Sequence, residues 1–445
     1  MTTITESPAV AAGTTARHHR LTLKDTKVLS LSALGGALEF YDFVIFVYFA
    51  NVVGNLFFPA DMPDWLRQVQ TYGIFAAGYL ARPLGGIILA HFGDMLGRKR
   101  MFMLSIFMMA LPTLAIGLMP TYASIGIAAP LLLLLCRVLQ GAAIGGEAPG
   151  AWVFVTEHVS PRHTGFACGT LSAGLVAGIL MGSMVATGIH AAMPAEDVSD
   201  WGWRLPFLLG GVLGFVTMYL RRWLHETPVF TEMQERQALS DEMPLKTVLK
   251  DHMPSVLVSM AVTWVLTAAV VVTILMTPSL LQKLIGLDPQ LSLEANSLAT
   301  VALLIGCLSA GALADRFGNG PIMGLFSLAL AISYWFFFST MLSGDTHLLF
   351  PLYALVGFCA GLTGVMPAIA VKSFPAAIRF SGLSFSYNLA YAIFGGTTPL
   401  LVSLLMKNDP MSPVWYVAAV CVVGILASAA VIRYHRQLDL AANPV

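Results

Sequence analysis

Gly93-Asp94-Met95-Leu96-Gly97-Arg98-Lys99-Arg100 is a short polar stretch between two long apolar runs. Its glycines allow a tight turn between helices. Asp94 is placed to sit at a helix N-terminus or to pair with a base on a neighbouring helix. Arg98, Lys99 and Arg100 hold the turn at a cytoplasmic face. The stretch has an echo, Ala314-Asp315-Arg316-Phe317-Gly318-Asn319-Gly320, at the corresponding place in the second half. A second echo pairs Pro161 to Gly165 with Pro375 to Gly382. Two echoes in matching positions imply a duplicated architecture of two parallel repeats.

Working outward, the chain has 445 residues, 57% hydrophobic and only 11% charged, with a mean hydropathy of +0.77. Soluble proteins carry about 25% charged residues. About twelve apolar runs approach the ~20 residues that a spanning helix needs. Their centres lie near Ile45, Gly78, Met109, Gln140, Val176, Val212, Val270, Leu303, Ala331, Gly357, Ala392 and Val422. Backbone groups inside lipid must bond to one another, so these runs read as helices. The expected fold is an all-α membrane protein with twelve transmembrane helices in two six-helix, pseudo-symmetric bundles.

The expected organisation is a cytoplasmic tail (1–27), a first bundle (28–222), a cytoplasmic linker (223–251), a second bundle (252–435) and a short cytoplasmic tail (436–445). Most of the 24 Lys and Arg fall in the N-terminus, alternate loops, the linker and the C-terminus. That places both termini in the cytoplasm. The polar start of the chain lacks the apolar core of a secretory signal. Zero net charge leaves no nucleic-acid footprint. The five cysteines have no paired spacing and read as small packing residues. No histidine pair has metal spacing, so no metal and no cofactor is expected beyond a proton gradient.

Glu39, Asp42, Arg82, Arg137 and Glu147 all lie inside spans of the first half. A charge at mid-membrane costs about 2.5–3.5 kcal/mol on insertion scales and marks ion or solute handling. Glu39 and Asp42 are three apart and share a helix face. Mutual repulsion and burial favour a proton on one of them, so Glu39 and Asp42, with Glu147, are the expected proton-coupling groups. A structural pairing with an arginine is the alternative. Arg137 leads Arg137-x-x-Gln140-Gly141-x-x-x-Gly145-Gly146-Glu147-x-x-Gly150, whose glycines make a close-contact face. Arg82 stands before Pro83 and Gly85-Gly86, where a weakened helix with freed carbonyls is expected. Arg82, Arg137 and Gln140 are the expected solute-binding groups, with Tyr387, Asn388 and Tyr391 across the cavity. A salt bridge from Arg82 to Glu39 or Asp42, and plain packing for the tyrosines, are the alternatives. Thr263, Trp264 and Thr267 are further wall candidates, and Gly395 to Pro399 reads as a helix break. Gly93, Asp94, Gly97 and Arg98 are the expected gating turn.

With Trp201-Gly202-Trp203-Arg204-Leu205-Pro206-Phe207 and the Leu220 to Phe230 stretch added, the chain resembles the metabolite:proton symporters of the major facilitator superfamily, over roughly residues 28 to 435. Met95, where a base is usual, and Ala90, where glycine is usual, depart from the superfamily pattern. The resemblance implies proton-coupled symport of a small polar metabolite by alternating access. A carboxylate is the first expectation and a proline- or betaine-type zwitterion the alternative. A proton-antiporting exporter is a further alternative, and an enzyme is not expected. The resemblance also implies a bacterial inner-membrane protein that works as a monomer in the lipid bilayer. Osmosensing members have a long coiled-coil tail. This chain stops soon after Arg436, so that regulation is expected to be absent.

Overall fold

The computed structural model describes residues 22–223, 226, 231, 232, 235 and 244–442. Most of the expected N-terminal tail and linker, and the last three residues, lie outside the described residues. Every described element is helical.

We number the principal helices α1 (Leu23–Tyr48), α2 (Asp64–Leu96), α3 (Arg98–Leu118), α4 (Ala128–His158), α5 (Thr164–Ala192) and α6 (Arg204–Arg221) in the first half. The second half has α7 (Met253–Ile285), α8 (Pro289–Phe317), α9 (Asn319–Leu342), α10 (Leu349–Lys372), α11 (Ala376–Leu405) and α12 (Ser412–Ala442). Among the described residues, ten helices are long and apolar enough to cross a membrane, and α6 with the short helix before it makes an eleventh, bent by 44°. The remaining expected span is α2, whose 33 residues are ample at 1.5 Å per residue but include Arg82 and Pro83.

Two boundaries differ from expectation. α1 starts at Leu23 because Thr22 and Asp25 cap it reciprocally. The Asp25 N–H donates to Thr22 Oγ1 (3.3 Å) and the Thr22 N–H to Asp25 Oδ2 (2.8 Å). At the other end, α12 continues as far as Ala442, past the expected limit at 435.

Small residues set the packing within each half. A Cβ on Gly141 of α4 would lie 1.8 Å from the Gly78 carbonyl oxygen of α2, and one on Gly145 would lie 2.1 Å from that of Arg82. The second half repeats the device between α10 and α8. A Cβ on Gly357 would lie 2.0 Å from the Ala299 oxygen, and one on Gly306 2.3 Å from the Phe358 oxygen. The halves meet along α5 against α8 and α2 against α11.

The expected weak point at Pro83 is not found. α2 runs unbroken through it, clamped along its length by the glycine contacts with α4. Among the described residues, the first half is bent ahead of α6, at the π-helical Val198–Gly202, and the interruptions inside the numbered helices lie in the second half. α7 carries a π-helical segment at Val271–Met276 and α11 another at Tyr391–Gly395. Each precedes a proline (Pro278, Pro399) whose missing N–H disrupts the regular hydrogen-bond ladder. α10 tightens to a 3₁₀ turn at Gly361–Gly364 just ahead of Pro367.

Candidate functional site

Four polar side chains from three helices form one hydrogen-bonded chain. Arg137 and Gln140 lie three residues apart on α4 and share a face. Arg137 Nη1 donates to Gln140 Oε1 (2.8 Å), and Gln140 Nε2 donates to Thr113 Oγ1 of α3 (2.8 Å). Thr113 Oγ1 is also 2.6 Å from Asp42 Oδ2 of α1 and 2.8 Å from the Met109 carbonyl. All four side chains are buried, Asp42 at 6% exposure and Arg137 at 3%. Asp42 Oδ1 has no hydrogen-bond partner. A Cβ on Gly210 would stand 2.7 Å from that oxygen, so α6 approaches only because the residue is glycine. The Arg137 guanidinium rests 4.5 Å over the Phe46 ring. Thr113 and Gln140 thus join Asp42 to Arg137 in place of a direct ion pair. Glu39 lies on α1, but its side chain is outside the described residues.

Arg82 occupies a second site with the expected tyrosines. Its guanidinium lies 4.6 Å over Tyr391, 5.9 Å over Tyr387 and 5.7 Å over Tyr79. Beside it is a cavity of about 40 Å³ lined by Phe40, Tyr79, Arg82 and Ile144 of the first half. Val270, Val271, Leu275, Tyr391 and Gly395 of the second half complete it, so both π-helical segments face it. Tyr387 packs edge-on against Trp152 of α4 and contacts Tyr391.

The other wall candidates do different work. Asn388 donates through Nδ2 to the carbonyl oxygens of Gly145 (2.6 Å) and Ser384 (2.8 Å), and the Ser384 hydroxyl lies 3.0 Å from those of Gly86 and Gly145. These contacts tie α11 to α2 and α4 at glycine backbone. Trp264 donates to the Tyr416 hydroxyl (2.9 Å) and stacks on Phe394. Thr263 and Thr267 bond backbone oxygens of α7 itself.

Glu147 is not gathered with Asp42. Its carboxylate pairs with Arg221 of α6 at 2.9 Å and accepts from the Ser105 hydroxyl of α3. Arg221 also donates to the Leu31 and Ser32 carbonyls of α1 and lies 3.7 Å over Phe102. A Cβ on Gly35 would collide with it at 1.8 Å. The sequence reading gave Arg221, at the end of the first bundle, no part in a site, whereas it is fully buried at the end of α6. Glycines on the facing α1 are the signal that goes with such a bulky buried base.

The two echoed turns meet each other crosswise at one face of the bundle. Asp94, at the end of α2, accepts from the Ser381 N–H in the first turn of α11 (2.9 Å). Asp315, at the end of α8, accepts from the Gly165 and Phe166 N–H groups in the first turn of α5 (2.7 and 2.8 Å). A carboxylate at a helix N-terminus is favoured by the dipole. Gly97 and Gly318 take matching left-handed turns, with φ of 113° and 93°, and Gly93 leaves room for the Phe380 ring. Glu157 of α4 pairs with Arg379 of α11 at 3.0 Å, a contact the sequence did not suggest. The Arg98 side chain lies outside the described residues. Glu226 accepts from the Lys99 N–H at the start of α3. At the opposite end of α3, Arg204 donates to the Gly117 and Met119 carbonyls.

Two helical bundles clasped crosswise, with buried charge and a small cavity between them, have the build of a membrane transporter. The sequence model of the Major Facilitator Superfamily matches residues 43–399. The "Proline/betaine transporter" of Salmonella typhimurium is 34% identical over 417 residues, covering 90% of this chain and 82% of that protein. The "Glycine betaine/proline/ectoine/pipecolic acid transporter OusA" of Dickeya dadantii is 32% identical, with the same coverage. The solved structure of the proton:xylose symporter XylE superposes with a TM-score of 0.76 at 15% identity, covering 93% of this chain and 96% of that one. The chain belongs to the Major Facilitator Superfamily. It is a multi-pass membrane transporter of a small molecule and not an enzyme.

Proposed function

We propose that this chain is a proton-coupled symporter of a small zwitterion of the proline or betaine type. The observation that carries the reading is the cavity at Arg82. Among the described residues lining it, Arg82 is the one cation, and aromatic rings surround it. One guanidinium matches one carboxylate, and the tyrosine and phenylalanine faces suit an ammonium group. A di- or tricarboxylate calls for more positive charge, and Arg137 is not among the lining residues. The relatives' names favour the zwitterion over the carboxylate expected first. At about 40 Å³ the cavity has room for water but not for such a solute, so the halves must part to admit it. Asp42 carries the proton in this reading. The clasped face with the Asp94 and Asp315 turns is cytoplasmic, both termini lie on that side, and the protein works as a monomer in a bacterial inner membrane.

The test is uptake into proteoliposomes of labelled proline, glycine betaine and citrate, with and without an imposed pH gradient. Proline or betaine should accumulate only with the gradient. Gradient-driven accumulation of citrate with neither zwitterion transported would return the carboxylate reading.

A further inference from the structure

Thr113 Oγ1 has three polar neighbours, Asp42 Oδ2, the Met109 carbonyl oxygen and Gln140 Nε2. A hydroxyl has one proton to donate and two lone pairs. The role of Gln140 is fixed from its far end. Arginine only donates, so the Gln140 oxygen must face Arg137 Nη1 and its NH₂ must face Thr113. That uses one lone pair. The Met109 carbonyl only accepts. Asp42 therefore decides how the remaining proton and lone pair are used.

With Asp42 ionised, two acceptors at 2.6 and 2.8 Å compete for one hydroxyl proton. If it goes to Asp42, the donors run in one direction, Arg137 to Gln140 to Thr113 to the carboxylate. Hydrogen bonds aligned in this way polarise one another. With a proton on Oδ2, Asp42 donates to the free lone pair of Thr113, and Thr113 donates to Met109. All three short contacts are then satisfied. The last link has reversed, and the directed chain from Arg137 now ends at Thr113.

We infer that the Thr113 hydroxyl and the Gln140 amide form a reversible relay that reports the protonation of Asp42 to Arg137, with no contact between the two charges. This rests on Asp42 being the proton carrier and deepens that reading. Thr113 and Gln140 are positioning residues. The step is proton binding alone. Asp42 Oδ2 gains a proton, the Thr113 O–H turns from Asp42 to Met109, and no other bond changes. Glu39 shares the Asp42 face of α1 in sequence, with its side chain outside the described residues; among the described residues, the titratable or charged groups that face Asp42 are few. Tyr41, on its own helix, donates its hydroxyl to the Pro206 carbonyl (2.9 Å), and Arg137 faces it from α4. α3 presents Thr113, α6 presents Gly210, and α5 packs on α1 through Gly178 and Gly182.

The relay is tested by infrared spectroscopy of purified protein, following the carboxyl stretch that is lost in Asp42→Asn as pH is varied. Thr113→Val keeps the shape and removes the hydroxyl. It takes a donor from the ionised carboxylate, and bonds to charged groups outweigh bonds to neutral ones. The midpoint should therefore rise, by about one pH unit or more. Thr113→Ser should restore the wild-type midpoint. Gln140→Leu, which leaves Thr113 in place and cuts the link to Arg137, should shift it in the same direction. A wild-type midpoint in both Thr113→Val and Gln140→Leu overturns the relay. Because this readout needs no transport, it is separate from the symport test. Uptake indifferent to a pH gradient sinks the symporter reading, and an unmoved infrared midpoint sinks the relay.

Discussion

The two halves repeat one architecture but contribute opposite things to the centre. The first half brings charge on unbroken helices. Arg82, Arg137 and Glu147 sit on α2 and α4, which run through Pro83 and Pro149 without a change of type, and Asp42 sits on the continuous α1. The second half is joined by neutral hydroxyl bonds, such as Thr277 to Tyr334 and Tyr353 to the Thr273 carbonyl. It turns broken helix toward the cavity at Val271–Met276 and Tyr391–Gly395. Charges must be held to a fraction of an ångström to keep their partners, which suits rigid, glycine-clamped helices. Interrupted helices bend at low cost, and π-helical turns are frequent at functional sites. The difference suggests a division between a half that holds the ion chemistry and a half that moves against it.

The largest expected effect follows from the charged side. Asp42→Asn should abolish accumulation driven by a pH gradient while keeping solute counterflow, because the buried site can no longer change its charge. No neutral substitution in the second half should produce that split. Full gradient-driven accumulation in Asp42→Asn would move the proton elsewhere and blur the division. Glu39 is then the next group to test, since Glu147 is held by Arg221.

Arg221→Ala should come next. It leaves Glu147 buried without its base, a change that costs about 3–5 kcal/mol when one partner of a buried pair is removed. The thermal midpoint in detergent should fall sharply. Pairing it with Glu147→Gln should recover part of the loss, since the stranded charge is gone. A double variant no better than the single would mean that Arg221 stabilises chiefly through Leu31, Ser32 and Phe102.

The hinge side predicts slower turnover with an unchanged pH profile. Pro278→Ala and Pro399→Ala restore the missing N–H and favour regular helix at the two interruptions. Exchange should slow by roughly tenfold, about 1.4 kcal/mol on the barrier, with solute affinity retained. A shifted pH dependence instead would show that these segments take part in proton handling.

Much of this arrangement was legible in the sequence, and the parts that were not have a common cause. The spans, the duplication and the charged positions declare themselves because hydropathy and turn residues are local. The echoed turns even implied the helix-terminus role of Asp94. What stayed hidden depends on which helix faces which. Thr113 is one hydroxyl among many apolar neighbours on α3, and only the approach of α1 and α4 makes it a link. Arg221 is buried while Arg222, the next residue and the same type, is exposed. Glu157 and Arg379 lie 222 residues apart. Pro83 misled because a proline reports a missing hydrogen bond, while the α4 glycines packed against the continuous α2 are some sixty residues away.

The smallest effect tests the neutral side directly. Tyr416 of α12 receives the Trp264 N–H of α7 at 2.9 Å and shares a 2.6 Å bond with Thr398 of α11. Its hydroxyl is thus the node between three second-half helices, as Thr113 is between three in the first. The resemblance ends at the partners. Neither Trp264 nor Thr398 carries charge, so Tyr416→Phe removes two neutral bonds and strands no ion. Hydrogen bonds between membrane helices average about 0.6 kcal/mol, so the loss should be on the order of 1 kcal/mol in stability. Thermal unfolding in detergent should show a small drop, with the pH midpoint of uptake unmoved. Thr113→Val, at the matching node, should do the reverse and move the pH midpoint more than the melting point. If Tyr416→Phe shifts the pH midpoint as well, the second half is not a neutral partner, and proton binding is felt across both bundles.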